Sequence, residues 1–128
     1  MSSIVLIMWR KIIAESLLAE LNKEPGLQVY YEPDYTQADA SIRNHNAKVA
    51  LIEAAETGDR DVSYCLKVCA SLPREIGSCK LILMCPGQDE EAVSQTINAK
   101  LEGRIDDFVF YEANLGYLSS KLFTMLQT

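Results

Sequence analysis

Five side chains with the chemistry to bind a ligand or to react stand at the ends of short apolar runs or just after them. They are Trp9, Arg10, Glu53, Cys85 and Tyr111. A carboxylate such as Glu53 is the kind of hard oxygen ligand that Mg²⁺ prefers, but a nearby guanidinium would repel the ion. Arginine instead favours planar, bidentate pairing with a carboxylate. We therefore predict a hydrogen-bonded Arg10–Glu53 pair, direct or bridged by water, and no Mg²⁺ bound beside it.

A metal cluster would have to draw on the four cysteines and the single histidine, which are Cys65, Cys69, Cys79, Cys85 and His45. Cys65 and Cys69 are one helical turn apart, which is not the Cys-x-x-Cys spacing of a zinc or redox site. We interpret the cysteines as buried thiols in a reducing compartment. His45 lies in a polar turn between two asparagines, and we interpret it as a surface residue.

Five short runs rich in β-favouring residues predict strands near residues 4–9, 27–31, 48–53, 80–85 and 107–111. The first, third and fourth runs are continuously apolar, as in strands buried on both faces of a parallel sheet. The second and fifth alternate in part, which indicates edge strands. Apolar residues at helical spacing predict five helices between and after them. The first carries Ile12 to Leu21 and is closed by Pro25-Gly26, the second covers Tyr35 to Asn44, and the third carries Val62 to Leu72 and stops at Pro73. The fourth starts at the acidic residues 89–91 and ends at Gly103, and the last carries Leu115 to Leu126.

Strand and helix thus alternate five times along the chain. This order predicts an α/β fold, a flavodoxin-like (βα)5 doubly wound three-layer sandwich with parallel strand order 2-1-3-4-5. A length of 128 residues suits a single domain over residues 1–128. Ligands of such sheets bind beyond the carboxyl ends of the strands, where the five side chains named above should lie.

Composition excludes several classes of function. The formal charge of -6 and the absence of a Lys/Arg cluster argue against direct binding of nucleic acid. No apolar run approaches the roughly 20 residues of a membrane span, and the N-terminus lacks a signal-peptide pattern, so we expect a cytoplasmic protein. No glycine-rich phosphate loop is present, and we expect no cofactor.

In their order and spacing, several segments resemble the receiver domain of two-component response regulators, the CheY-like superfamily. Residues 89–93, Asp-Glu-Glu-Ala-Val, resemble the acidic start of the family's fourth helix, and 105–109, Ile-Asp-Asp-Phe-Val, its entry into the fifth strand. Residues 47–53 resemble its third strand. The resemblance covers essentially the whole chain. It implies a module of phosphorelay-type signal transduction and not an enzyme.

The family's functional positions carry unusual residues here. Trp9 and Arg10 stand at the acidic pair, Glu53 at the phospho-accepting Asp, Cys85 at the Thr/Ser switch and Tyr111 at the Lys. The resemblance therefore implies a pseudo-receiver that is not phosphorylated, since the metal ligands are missing and Glu53 is one methylene longer than Asp. As structural roles, we expect Trp9 to cap the core and Cys85 to be a small buried hydrophobe.

The resemblance also implies a protein partner, such as a histidine kinase or an output domain, or a homodimer. It places the contact on the face formed by the fourth helix, fifth strand and fifth helix, with Gly116, Tyr117, Ser120 and Lys121 of the last helix. Asp106 and Asp107 stand at the start of the predicted fifth strand, and we expect them to be turn and cap residues.

Two alternative functions remain open. A divergent receiver could still be phosphorylated on Glu53 or on Asp59 in the following loop. A regulatory module could bind a small anion at Arg10 and Lys11, where a helix begins and its N–H groups point outward.

Overall fold

The computed structural model describes residues 2–72 and 79–127, which form five β-strands and five α-helices in alternation. The strands are β1 (Ser2–Ile7), β2 (Leu27–Glu32), β3 (Val49–Glu53), β4 (Lys80–Cys85) and β5 (Asp107–Phe110). The helices are α1 (Lys11–Leu21), α2 (Ala38–Asn44), α3 (Val62–Ser71), α4 (Glu90–Leu101) and α5 (Leu115–Leu126). Pro73, the predicted stop of α3, lies outside the described residues.

The strands form one parallel sheet in the order β2-β1-β3-β4-β5, which confirms the predicted topology. β2 and β5 are the edge strands, as their partial alternation predicts. The predicted doubly wound three-layer sandwich is therefore correct.

Several boundaries differ from the sequence prediction by one or two residues, and α4, for example, ends at Leu101 and not at Gly103. Two regions have a structural reason for the difference. β1 begins at Ser2 and ends at Ile7, not at Trp9, because Ser2 pairs with Leu27 while the amide of Trp9 turns away to bond Glu53. The predicted second helix begins as a 3-10 turn at Tyr35–Gln37, capped by Asp34, before α2.

Alternation along the strands divides the core into two halves. One half holds residues such as Ile4, Leu6 and Leu51 and packs against α1 and α5. The other half holds Val5 and Ile52 with the inward faces of α2, α3 and α4. Successive strand residues point to opposite faces of the sheet, and both halves are closed to solvent because helices cover each face.

Within the described part of the chain, none of the helices combines the length and hydropathy needed to cross a membrane.

Candidate functional site

The candidate site lies at the carboxyl edge of the sheet, where the central strands β1 and β3 end side by side. Trp9 and Arg10 follow β1, Glu53 ends β3, and Tyr111 follows β5. These four side chains meet in the structure, as the predicted topology requires. Cys85 also ends a strand, but its side chain packs on the opposite face of the sheet, in the half-core of α3 and α4.

Glu53 is the centre of the site and is fully buried. One carboxylate oxygen, Oε1, accepts hydrogen bonds from the backbone N–H groups of Trp9 and Arg10, both at 3.1 Å. The other oxygen, Oε2, accepts a hydrogen bond from Nε of Arg10. The Arg10–Glu53 pair predicted from the sequence is therefore confirmed, and it is direct.

Glu53 also assists the start of α1. Arg10 is the N-cap residue of this helix, but its own side chain caps no N–H group. A positive side chain at this position opposes the helix dipole, whereas a carboxylate near the N-terminus is favourable. Because the Glu53 carboxylate lies at the entry to α1, its negative charge offsets the unfavourable position of Arg10.

Two aromatic rings and a thioether border the guanidinium of Arg10, and 29% of the Arg10 side chain remains exposed. Its central carbon lies 4.3 Å from the centroid of the Tyr111 ring and 5.9 Å from that of Trp9. Nη2 lies 3.5 Å from the sulfur of Met84. The aromatic faces stabilise the cation by cation–π interaction, which strengthens as water is excluded.

Tyr111 is a neutral wall of this pocket. Burial raises the pKa of Tyr111 to about 12, although Trp9 and the positive charge of Arg10 act in the opposite direction. The phenol therefore stays protonated at neutral pH and supplies no negative charge to a metal or a substrate.

A second layer below Glu53 holds the end of β3 in place. The buried hydroxyl of Tyr35 donates a hydrogen bond to the backbone carbonyl of Glu53, and the thiol of Cys65 lies 3.7 Å from the same oxygen. The guanidinium of Arg60 covers the Tyr35 ring at 5.2 Å. Burial raises the pKa values of both Tyr35 and Cys65, so both keep their protons. Sequence reasoning missed Tyr35, because its contact with Glu53 joins positions 18 residues apart and leaves no local signal.

The residues present do not fit a Mg²⁺ ion. A hexacoordinate ion needs several oxygen ligands, whereas Glu53 is the one carboxylate of the pocket described above and all its contacts are with Trp9 and Arg10. Among the described residues, no group of three or more His, Cys, Asp or Glu side chains is arranged to hold a metal.

The residues fit a small anion no better. The N–H groups of Trp9 and Arg10 already donate to Glu53, so they are engaged by the protein's own carboxylate. The exposed ammonium of Lys11 lies 3.8 Å from the Glu15 carboxylate, so Lys11 is paired within α1.

The predicted interaction face is built around a shared carboxylate. Asp107 accepts hydrogen bonds from Lys100 of α4 at 3.0 Å and lies 2.7 Å from Lys121 of α5. Burial alone would raise the pKa of Asp107, but the bonds from Lys121, Lys100 and the Phe108 N–H outweigh it and lower that pKa. Of the four face residues, Gly116, Tyr117 and Ser120 are exposed, while Lys121 is half-buried.

Asp107, Lys100 and Lys121 form what we call the Asp107 triad. An open groove of about 590 Å³ runs beside it, between β5 and α5. Phe110 and Tyr117 line it and are exposed. The neighbouring α4 adds two further exposed apolar side chains, Ile97 and Leu101. The face therefore offers apolar surface around a paired ionic centre.

Three residue-level expectations require correction or refinement. Trp9 does not cap the core, because 41% of it is exposed and its ring covers Arg10 instead. Asp106 and Asp107 do more than form a turn, since Asp106 accepts a hydrogen bond from the Leu81 N–H and Asp107 binds two lysines. His45 is half-buried, because its ring stacks on Tyr30 at 3.6 Å.

The predicted burial of the cysteines agrees with the structure. All four are buried and present as thiols. Burial raises the pKa of Cys85, with Thr96 acting in the opposite direction, so Cys85 behaves as a small core residue.

Sequence comparison finds nothing for this chain: no family model matches, and no curated protein matches significantly. Solved structures do match. The BeF3-activated N-terminal receiver domain of Klebsiella pneumoniae RstA superposes with a TM-score of 0.73 at 16% identity, covering 99% of this chain and 100% of that one. A CheY-like receiver domain protein from Methanospirillum hungatei gives a TM-score of 0.71 at 18% identity, with coverages of 99% and 94%.

A LuxR-family DNA-binding response regulator from Staphylococcus aureus gives a TM-score of 0.75 at 12% identity, with coverages of 98% and 99%. At such identities the match concerns the fold. The chain thus has the CheY-like, flavodoxin-like fold of response-regulator receiver domains.

Proposed function

We propose that this protein is a receiver-like signalling module that does not accept a phosphoryl group and acts through protein–protein contacts. The observation that carries the proposal is the state of Glu53. At the end of β3, where a receiver holds its phospho-accepting Asp, this carboxylate is fully buried and bound by Arg10 and two backbone N–H groups.

The chemistry of phosphoryl transfer supports this proposal. A carboxylate nucleophile needs an oxygen directed at the phosphorus and a metal ion that offsets the developing charge. Glu53 points its oxygens into the protein, and the cation beside it is a guanidinium held by Tyr111 and Met84. Freeing Glu53 from Arg10 would leave a buried, unpaired charge, which is strongly unfavourable.

Incubation with acetyl phosphate and Mg²⁺, followed by intact-mass spectrometry, tests this directly. We expect no adduct of one phosphoryl group on the wild-type chain. A receiver domain that retains its acidic pair and Asp serves as the positive control. An adduct would contradict the proposal, and its loss in Glu53→Gln or in Asp59→Asn would locate it on one of the two alternative acceptors.

The surface through which the protein acts is, in this proposal, the face of α4, β5 and α5. Its exposed apolar side chains surround the Asp107 triad, whose charges are paired within the chain. Exposed aromatic residues such as Phe110 and Tyr117 are enriched in protein interfaces, which supports the assignment of this face. Its partner is a second copy of the chain, a histidine kinase or an output domain.

Light scattering across a concentration series separates these partners. For a homodimer, Tyr117→Asp should shift the protein to the monomer, whereas Ile12→Asp on α1 should not. Ile12 is a matched control because it is 78% exposed and belongs to α1, which is not one of the elements of this face. If the wild type stays monomeric at all concentrations, the partner that binds this face is a different protein. Loss of association in the Ile12 variant alone would contradict the assignment of the face.

A further inference from the structure

The geometry points to a guanidinium-binding pocket at the carboxyl edge of the sheet, whose ligand in the native chain is the protein's own Arg10. This inference rests on the packing around Arg10 and does not depend on the signalling role proposed above. It concerns which class of cation the pocket is shaped to hold.

The pocket has a carboxylate end and an aromatic wall. Glu53 binds the guanidinium through Nε, and its own burial is complete. The Tyr111 ring lies 4.3 Å from the guanidinium carbon, and the sulfur of Met84 lies 3.5 Å from Nη2. The Trp9 ring, which is itself partly exposed, lies 5.9 Å from the guanidinium carbon.

These walls suit a planar, weakly hydrated cation. A guanidinium can stack on an aromatic ring while its N–H groups bond a carboxylate in the plane. An ammonium is compact and strongly hydrated, so an aromatic and thioether wall replaces its water poorly. Mg²⁺ needs near-octahedral oxygen ligands and releases water reluctantly. We therefore expect the pocket to prefer guanidinium over ammonium, and ammonium over Mg²⁺.

Removal of the resident ligand provides the test. Arg10→Ala deletes the side chain beyond Cβ and leaves a cavity that ethylguanidinium matches atom for atom. The melting temperature of this variant should fall below that of the wild type. Ethylguanidinium at about 10 mM should then raise it by about 3 °C, the stabilisation expected of a ligand at about three times its dissociation constant.

The controls define the site and the selectivity. Ethylammonium and MgCl2 at the same ionic strength should give no comparable rise, and the wild type, whose pocket is full, should not respond to ethylguanidinium. Arg10→Ala combined with Glu53→Gln should also not respond, because the carboxylate is gone. Equal rises with all three cations, or a rise in the Glu53→Gln background, would overturn the inference.

A second variant decides the question if Arg10→Ala does not fold. Arg10→Lys keeps the charge but lacks the planar group. We expect a lower melting temperature and stronger acrylamide quenching of Trp9, the chain's single tryptophan, whose ring covers the guanidinium. A lysine variant with wild-type melting and quenching would show that only charge matters and would refute the guanidinium pocket.

Discussion

At the scale of single residues, the Arg10–Glu53 pair joins a partly exposed guanidinium to a fully buried carboxylate, and the two partners depend on each other. Arg10→Met removes one partner and leaves the Glu53 carboxylate desolvated, so we expect a loss of about 3 kcal/mol in the free energy of unfolding. Adding Glu53→Gln should recover at least about 1 kcal/mol, because Gln is neutral and can still accept from the Trp9 and Arg10 N–H groups.

Urea unfolding of the wild type, both single variants and the double variant measures this as a double-mutant cycle. A coupling energy below about 0.3 kcal/mol is the scatter of independent sites and would contradict a paired role. The m-value should stay constant across the four proteins, since a change would indicate an altered denatured state.

The pair could be predicted from sequence, and its surroundings could not, for a physical reason. The predicted strand order placed the end of the first strand beside the end of the third, so Arg10 and Glu53 had to be neighbours. Tyr35 reaches Glu53 from the connection after an edge strand, through contacts that no local pattern encodes. Trp9 is exposed because its ring lies over the guanidinium of Arg10 and not in the core. The hydrophobicity of tryptophan alone does not indicate this position.

At the scale of elements, Asp107 ties α4, β5 and α5 together through two lysines. The pKa of Asp107 is lowered in the folded protein. Asp107 therefore adds to the free energy of unfolding above the pKa that it has in the unfolded chain, and this stabilisation is lost as pH falls through its pKa in the folded protein. The lysines are partly exposed, and we expect Asp107→Asn to cost about 1 kcal/mol at pH 7.

Unfolding free energies of the wild type and Asp107→Asn, measured between pH 7 and pH 3, test this. Their difference should be constant near neutrality and shrink at acidic pH, as Asp107 takes up its proton. A difference that grows on acidification has the wrong sign for a carboxylate with lowered pKa. Asp39→Asn, in the exposed pair with Arg43 on α2, is a control that should cost less.

The loops after β4 and β5 also meet at Glu112, whose carboxylate lies beside Gly87 and Gln88. A Cβ atom at Gly87 would lie 2.7 Å from a carboxylate oxygen of Glu112, which is the flexible end of a side chain. Gly87→Ala should therefore cost less than about 1 kcal/mol by thermal or urea unfolding. In a Glu112→Ala background, the same change should become neutral or stabilising, because alanine restricts the unfolded chain. Equal costs in both backgrounds would show that Glu112 is not the obstacle.

The boundaries of helices and strands are predicted correctly from sequence where local interactions set them, and incorrectly where distant residues do. The acidic start of α4 was predicted correctly, because Asp89 caps the helix through the N–H groups of Glu91 and Ala92, a purely local interaction. The ends of β1 were not, because pairing with β2 extends one end and the hydrogen bonds to Glu53 shorten the other. Non-local partners set those limits.

At the scale of the whole molecule, the sheet separates two half-cores that carry different probes. All four cysteines lie in the half-core of α2, α3 and α4. Trp9 lies at the carboxyl edge, beside Arg10 and Glu53, which join β1 to β3 at the centre of the sheet. Cysteine labelling and tryptophan fluorescence therefore report on separate parts of the structure.

If residues 1–128 are a single cooperative domain, as the length predicts, both probes should change together. We expect the urea midpoint from Trp9 fluorescence to coincide with the midpoint from iodoacetamide labelling of the thiols, since one transition exposes both half-cores. In native buffer the thiols should resist labelling, because all four are buried and burial raises the pKa values of Cys65 and Cys85. Thiol labelling at a urea concentration where Trp9 is still native would mean that the α2–α4 side opens on its own.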